Sequence, residues 1–340
     1  MSQQTILKGP ARHQSAGTQR TIFKIPAADY LFLLAPFWIG ALYWALVTWS
    51  SVSRPFVFFL YLMVLGETHF AATWLFFLSP TNWDWIKARR FWLIYVPPVL
   101  ILIYAALGLI NIGLAIVIGA VASGYHVTRQ SIGVYRLYGG KRRDFSEQMI
   151  YVASFGFMAI GFVRFYAAKL FISPLWIDWT TTWVGPMSFL LITAIMIYMA
   201  ALALRQPGMR RWFAVFTGTL MYAPYCFVAV PQDAIAIGVG MHWCQYLAIN
   251  FAVYSRRNHR VSSASQNRFL AVLWPVALIV VYGVIMALIG TAAGTKLQQT
   301  TLWLLVPLCG QLLHYYIDAF IWRFSDPHIR HEVGTYIWAT

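Results

Sequence analysis

Acidic residues are scarce in this chain: ten Asp and Glu among 340 residues, against 25 Lys and Arg. Charged residues of both signs make up only 10%, while 60% of the chain is hydrophobic and 17% aromatic. So little polar surface excludes a water-soluble globule of this length. Cysteine is nearly missing as well. Cys226, Cys244 and Cys309 are odd in number, lie in or beside apolar runs and have no metal-type spacing, which argues against a disulfide framework and a thiolate metal site. Long polar stretches are absent too; the widest gap is about fifteen residues, too short for a soluble domain. No tandem repeat is visible. The first ~25 residues contain neither a short apolar core nor a small-residue cleavage site, so no cleaved signal peptide is expected.

What the chain has instead is apolar runs separated by basic clusters. Cutting at turn residues and charges gives runs at 29 to 49, 55 to 79, 91 to 109, 112 to 138, 146 to 169, 183 to 204, 212 to 229, 233 to 254, 269 to 290 and 301 to 323. Each is about 18 to 27 residues, enough to cross a ~30 Å hydrocarbon core, the shortest with help from tilt or flanking residues. The junctions at Asn111 and at Pro231-Gln232-Asp233 are the weakest cuts. Threading the chain through ten crossings puts all basic residues on one side except Arg54, Arg164, Lys169 and Lys296. Basic loops mark the cytoplasmic side, so the positive charge describes topology and not a nucleic-acid surface. The expected fold is all-α: a polytopic membrane bundle of about ten helices in a bacterial-type inner membrane, both termini cytoplasmic. Residues 1–28 form an N-terminal tail, 29–323 one transmembrane domain and 324–340 a C-terminal tail. Trp83, Trp85, Trp176, Trp179, Trp183 and Trp322 lie near run ends, as interfacial belt residues do.

The polar residues inside the runs carry the chemistry. His69, His126, His242 and His314 each lie in a separate run, and all four runs have the same direction in this topology. Counted from the outer end they lie roughly 9 to 14 residues in, or about 14 to 21 Å of helical rise. Four unrelated packing histidines have no reason to agree in depth; four ligands of one ion must. Each follows a glycine by at most four residues (Gly66, Gly124, Gly240, Gly310), which is expected to let helix backbones approach. Only Glu67 and Asp318 are acidic residues deep in apolar runs, and both share a run with a histidine. An ionisable group there costs about 2.5 to 3.5 kcal/mol, so a compensating partner or metal is implied. Glu67 is two residues from His69, about 200° round a regular helix. Both can face one ion only if the helix is distorted at Gly66. Asp318, four residues after His314, is placed to orient that ring, and Gln130, Gln245 and Gln311 are spaced to do the same for their neighbours. His13, His259, His328 and His331 sit in polar segments and read as solvated. Imidazoles with carboxylate and no thiolate suit iron, zinc, manganese or copper, and redox chemistry on a lipid-phase substrate favours iron.

The stretch His314-Tyr-Tyr-Ile-Asp318-Ala-Phe-Ile-Trp-Arg323, the pair His69-Phe70 and Ser255-Arg256-Arg257-Asn258-His259 at a helix end resemble the Brp/Blh family of bacterial integral-membrane β-carotene oxygenases. Over about half of the chain the resemblance implies an iron–histidine oxygenase architecture; it does not extend to carotenoid specificity. The combined expectation is a membrane oxygenase with a non-haem metal, iron, mononuclear in preference to dinuclear, held by His69, His126, His242 and His314. Glu67 is assigned as a further ligand or base and Asp318 as the orienting group. Its partners are a hydrophobic small molecule from the bilayer, dioxygen, membrane lipids and an electron-donor protein, with no nucleic acid. Two other classes fit the same residues: a transporter of protons or divalent cations, and a haem-binding membrane subunit.

Overall fold

In the computed structural model residues 21–23, 25–166, 174–205, 208–261, 268–295 and 301–338 are described, and among them every regular element is a helix. The long helices are α1 (Pro26–Leu33), α2 (Ala35–Trp49), α3 (Arg54–Phe77), α4 (Phe91–Ile110), α5 (Ile112–Leu137), α6 (Phe145–Tyr166), α7 (Pro174–Leu204), α8 (Met209–Leu220), α9 (Pro231–Val261), α10 (Arg268–Thr295) and α11 (Thr301–Ile321). Asn111 is a true helix boundary: its backbone is extended and its side chain accepts from the Leu114 N–H at 3.0 Å, capping α5.

Among the described residues seven helices are long and apolar enough to cross a membrane, as in a multi-pass membrane protein, and the pair α1–α2 makes an eighth if counted as one span. The other three of the ten apolar runs depart from plain spans for separate reasons. The first is bent by 63° between α1 and α2, where Pro36 has no N–H to continue the ladder. The seventh is broken, α8 ending at Leu220 before the short helix Pro224–Phe227. The eighth, α9, is 31 residues long but too polar, with Asp233, Gln245, Asn250, Arg256 and Arg257 along it. Its surroundings resolve this. Ala236, Val239, Met241, Trp243, Tyr246, Ile249 and Val253 of α9 are all buried, so protein rather than lipid satisfies its polar groups.

Close packing around α9 does not come from the glycines beside the histidines. A Cβ on Gly124 or Gly240 would meet the Met158 or Tyr61 side chain first, one on Gly310 the Tyr282 hydroxyl and one on Gly66 the Leu62 and Trp243 side chains, so the nearest atoms are all side-chain atoms. The backbone approaches are made elsewhere. A Cβ on Gly238 would lie 2.5 Å from the Met221 carbonyl oxygen, and one on Gly283 2.7 Å from that of Met63, so α9 and α10 sit directly on their neighbours at these points.

The segment after α11 is not a free tail. Ile329, Val333 and Ile337 are buried, Arg89 pairs with Asp326 at 2.7 Å, and Arg256 donates to the Tyr336 carbonyl at 2.8 Å. His328 lies over the Trp85 ring with its Nε2 2.9 Å from Asn82 Oδ1, which makes it a packed residue and not a solvated one.

Candidate metal centre

All four expected histidines meet. Ring centroids are 4.7 Å apart for His69 and His314, 4.8 Å for His126 and His314, and 5.0 Å for His242 with both His69 and His126. His69, His242 and His314 are fully buried. Ligand-type atoms of His69, His242 and His314 lie within 4.8 Å of one another, as do those of His126, His314 and Asp318. The two groups share His314, whose Nε2 can bind only one ion, so they cannot be filled independently.

Local structure fixes which nitrogens are available. Residues Leu62–Gly66 of α3 form a π turn just before Glu67 and His69, but it does not bring the two onto one ion; its last carbonyl, on Gly66, accepts from His69 Nδ1 at 2.5 Å. With that proton on Nδ1, Nε2 carries the lone pair, and it has no partner. In His242 both nitrogens are buried without a partner. A buried orphan nitrogen is costly and marks a place where a ligand belongs. His314 Nδ1 is 2.5 Å from Thr73 Oγ1, which is 3.2 Å from Asp318 Oδ1; the Tyr246 hydroxyl donates to that same oxygen at 2.7 Å. Hydrogen accounting gives one consistent chain: His314 Nδ1–H donates to Thr73, and Thr73 O–H donates to Asp318. His314 Nε2 is thereby left with a lone pair, 3.2 Å from His126 Nε2. Two nitrogens bound at ~2.1 Å to one metal, 90° to 110° apart, are separated by about 3.0 to 3.4 Å. The donor set fits a metal ion.

Asp318 therefore acts on His314 through Thr73 rather than by direct contact with Nδ1. Its second oxygen, Oδ2, faces the centre, 3.7 Å from His314 Nε2 and 3.8 Å from His126 Nε2, where a carboxylate compensates cationic charge. Glu67 is buried but belongs to neither donor group; one oxygen has no partner, and the residue lines the cavity described below. None of the three glutamines bonds a histidine ring. Gln130 Nε2 donates to the His242 carbonyl at 3.1 Å and Gln245 Nε2 to the Phe32 carbonyl at 2.9 Å, while Gln311 faces Glu67. Trp322 is drawn inward from its expected interfacial role and donates to the Tyr246 hydroxyl at 3.4 Å. His13 and the side chain of His259 lie outside the described residues.

Thr73 and Tyr246 are the site residues that sequence reasoning misses, although a signal for them exists. Thr73, Gln130, Tyr246 and Asp318 each follow a site histidine by four residues, which puts them on the same helix face one turn further on. The centre thus has two tiers, histidines above and hydrogen-bonding residues below.

On the opposite side of the histidines lies a cavity of about 1220 Å³. Phe70 and Tyr315 line it, and their rings touch the site: Phe70 is 4.0 Å from His69 and Tyr315 4.7 Å from His126, centroid to centroid. From α3 it is lined by Arg54, Pro55, Phe58, Leu62, Glu67 and Phe70, from α5 by residues between Ile116 and Ser123, and from α9 and α11 by residues ending at Trp243 and Tyr315. On all four helices the cavity residues run up to the histidine and the supporting tier follows it, so α3, α5, α9 and α11 pass the centre in one direction. No family model matches the chain, and no curated protein or solved structure is similar to it.

Proposed function

We propose that the protein is an integral-membrane oxygenase that uses a non-haem metal ion, iron, to oxidise a hydrophobic substrate with dioxygen. The observation that carries this reading is the position of the histidine cluster: four clustered rings, two of them with orphaned nitrogens, and one carboxylate lie directly behind Phe70 and Tyr315, which line the end of a large, mostly apolar cavity. A site built for ion transit needs hydrated approaches; an apolar cavity excludes water and protects reactive species. His69 through Nε2, His242 and His126 through a ring nitrogen, His314 through Nε2 and Asp318 through Oδ2 would hold the ion. Its role when bound is to make dioxygen reactive toward an unactivated carbon. Thr73, Tyr246 and Trp322 hold Asp318 and the His314 ring in place, and Phe70 and Tyr315 wall the substrate against the centre. The sharing of His314 between the two donor groups favours a mononuclear site. The resemblance of His314 to Arg323 to the Brp/Blh pattern supports the same chemistry.

In this reading the chain crosses a bacterial-type inner membrane ten times with both termini cytoplasmic. The common direction of α5 and α9 supports it: α6, α7 and α8 lie between them, and only an odd number of crossings returns a chain to the same direction. The broken α8 segment must then cross. Purified protein loaded with ferrous iron should consume dioxygen when supplied with a bilayer lipid extract and a low-potential electron donor, and should not do so without the extract. Cation uptake into sealed vesicles, driven by a proton gradient and without oxygen consumption, would overturn the oxygenase reading.

A further inference from the structure

The cavity is apolar along its length but polar at its two ends. Near its start Arg54 is about half exposed, with Nη1 3.3 Å from Asp233 Oδ2; Asp233 is buried and also accepts from the Tyr43 hydroxyl at 2.7 Å. Tyr43 and Asp233 thus anchor one edge of the guanidinium, and its other N–H groups have no protein partner among the described residues. Gln232 lines the cavity beside them. At the deep end Glu67 presents a buried, unpartnered oxygen next to Phe70 and the histidines. The two ends are separated on α3 by about thirteen residues, or ~20 Å of helical rise. The stretch between is lined by side chains such as Phe58, Leu62, Met158 and Phe162. A wholly apolar polyene or hydrocarbon has nothing for the fixed guanidinium to bind.

We infer that the cavity takes a long-chain acyl amphiphile whose anionic head is held at Arg54 and whose chain descends to the histidine centre. This rests on the proposed function for the site and names its substrate class. Arg54 presents a planar fork of donors suited to a carboxylate or phosphate, and the chain displaces water from the apolar walls. The distance from head anchor to centre then selects which carbon of the chain meets the oxidising site, so position along the chain is measured from the polar end.

The test is equilibrium binding to full-length protein in nanodiscs, with oleate, oleoyl lysophosphatidate and oleyl alcohol as probes. The two anions distinguish a carboxylate from a phosphate head, and the alcohol keeps the chain without the charge. Wild-type protein should bind one anion per chain at least tenfold more tightly than the alcohol. Arg54→Gln combined with Asp233→Asn, which leaves no buried acid unpaired, should abolish that preference while leaving alcohol binding unchanged. Gly290→Leu, at a cavity position where an added Cβ meets only Pro307 Cγ at 3.8 Å, should weaken all three probes. His242→Ala should leave oleate binding intact. Equal affinity for oleate and oleyl alcohol, or an unchanged preference in the Arg54 variant, overturns the inference. Arg54-dependent anion binding by a protein that binds no metal would uphold the amphiphile site and remove the oxygenase reading, so the two fail separately.

Discussion

Thr73 joins three of the groups that define the centre, standing 2.5 Å from His314 Nδ1, 2.9 Å from the Tyr246 hydroxyl and 3.2 Å from Asp318. Removing its hydroxyl leaves the His314 ring without the acceptor that fixes its tautomer. Thr73→Val keeps the shape of the side chain, so the fold should survive while metal affinity and turnover fall by about 10- to 100-fold. Metal titration and oxygen consumption on the same preparation check this. Gln130→Leu is the matched control: it also sits four residues after a histidine, but it bonds a backbone carbonyl and not a ring, and it should change metal affinity by less than about threefold. The four histidines were legible in the sequence because depth can be counted along apolar runs. The partners of each ring were not, since Gly66 and Thr73 differ from the glutamines in nothing but how the helices rotate about their axes. The same i, i+4 spacing that marks Asp318 also marks Thr73 and Tyr246, but threonine and tyrosine are common in membrane helices and do not stand out as a buried acid does.

At the scale of the element, α3 matters most because its π turn, just before Glu67 and His69, sets the rotation of both about the helix axis. Glu67 faces the cavity while His69 faces the other three rings, the two-residue separation that a regular helix spreads over about 200°. Against that turn lies Gly283 of α10, where a Cβ would fall 2.7 Å from the Met63 carbonyl oxygen. Gly283→Val should push α10 off the turn at a cost of ~1 to 3 kcal/mol, lowering the unfolding temperature and the metal affinity together with helical content unchanged by circular dichroism. The segment that follows α11 gives a second, independent prediction. Burial pushes the Asp326 carboxyl up, but hydrogen bonds from the Trp85 indole and the His328 backbone N–H, with the Arg89 charge, outweigh it and hold the group below its usual value. A carboxyl lowered in the folded state adds stability above its unfolded pKa of ~3.9, lost as pH falls through the folded value. Asp326→Asn should therefore lower the unfolding temperature at pH 7, and the deficit should close as the pH drops below about 4. Thermal unfolding of both proteins across pH 3 to 7 measures it; a deficit independent of pH would show that the charge has no part in docking the segment. The sequence, read as a tail beyond 323, offers no periodic apolar run there, and only Ile329, Val333 and Ile337 at four-residue spacing hint at the buried face.

Across the whole molecule the parallel helices α3, α5, α9 and α11 divide function into two halves, an apolar cavity before the histidines and a hydrogen-bonded tier after them. Cutting the sequence at turns and charges finds the inner part of α9 at 233 to 254, but the helix is too polar to count as a plain span, because α9 is surrounded by protein and is free of the composition that lipid demands. Charge alternation places reporter fusions after Arg90, after Lys141 and at the C-terminus in the cytoplasm, with fusions at Ser53 and Asn111 outside. A C-terminus on the same side as Ser53 would contradict the common direction of the four histidine helices. The most direct test of the central claim is elemental analysis, with an optical spectrum, of detergent-purified wild-type protein and of the four single variants His69→Ala, His126→Ala, His242→Ala and His314→Ala. One non-haem metal ion per chain in the wild type, with most of it lost in each variant, is the predicted result. Wild-type protein without metal, a haem absorption band, or full retention of metal in any two of the four variants would contradict it.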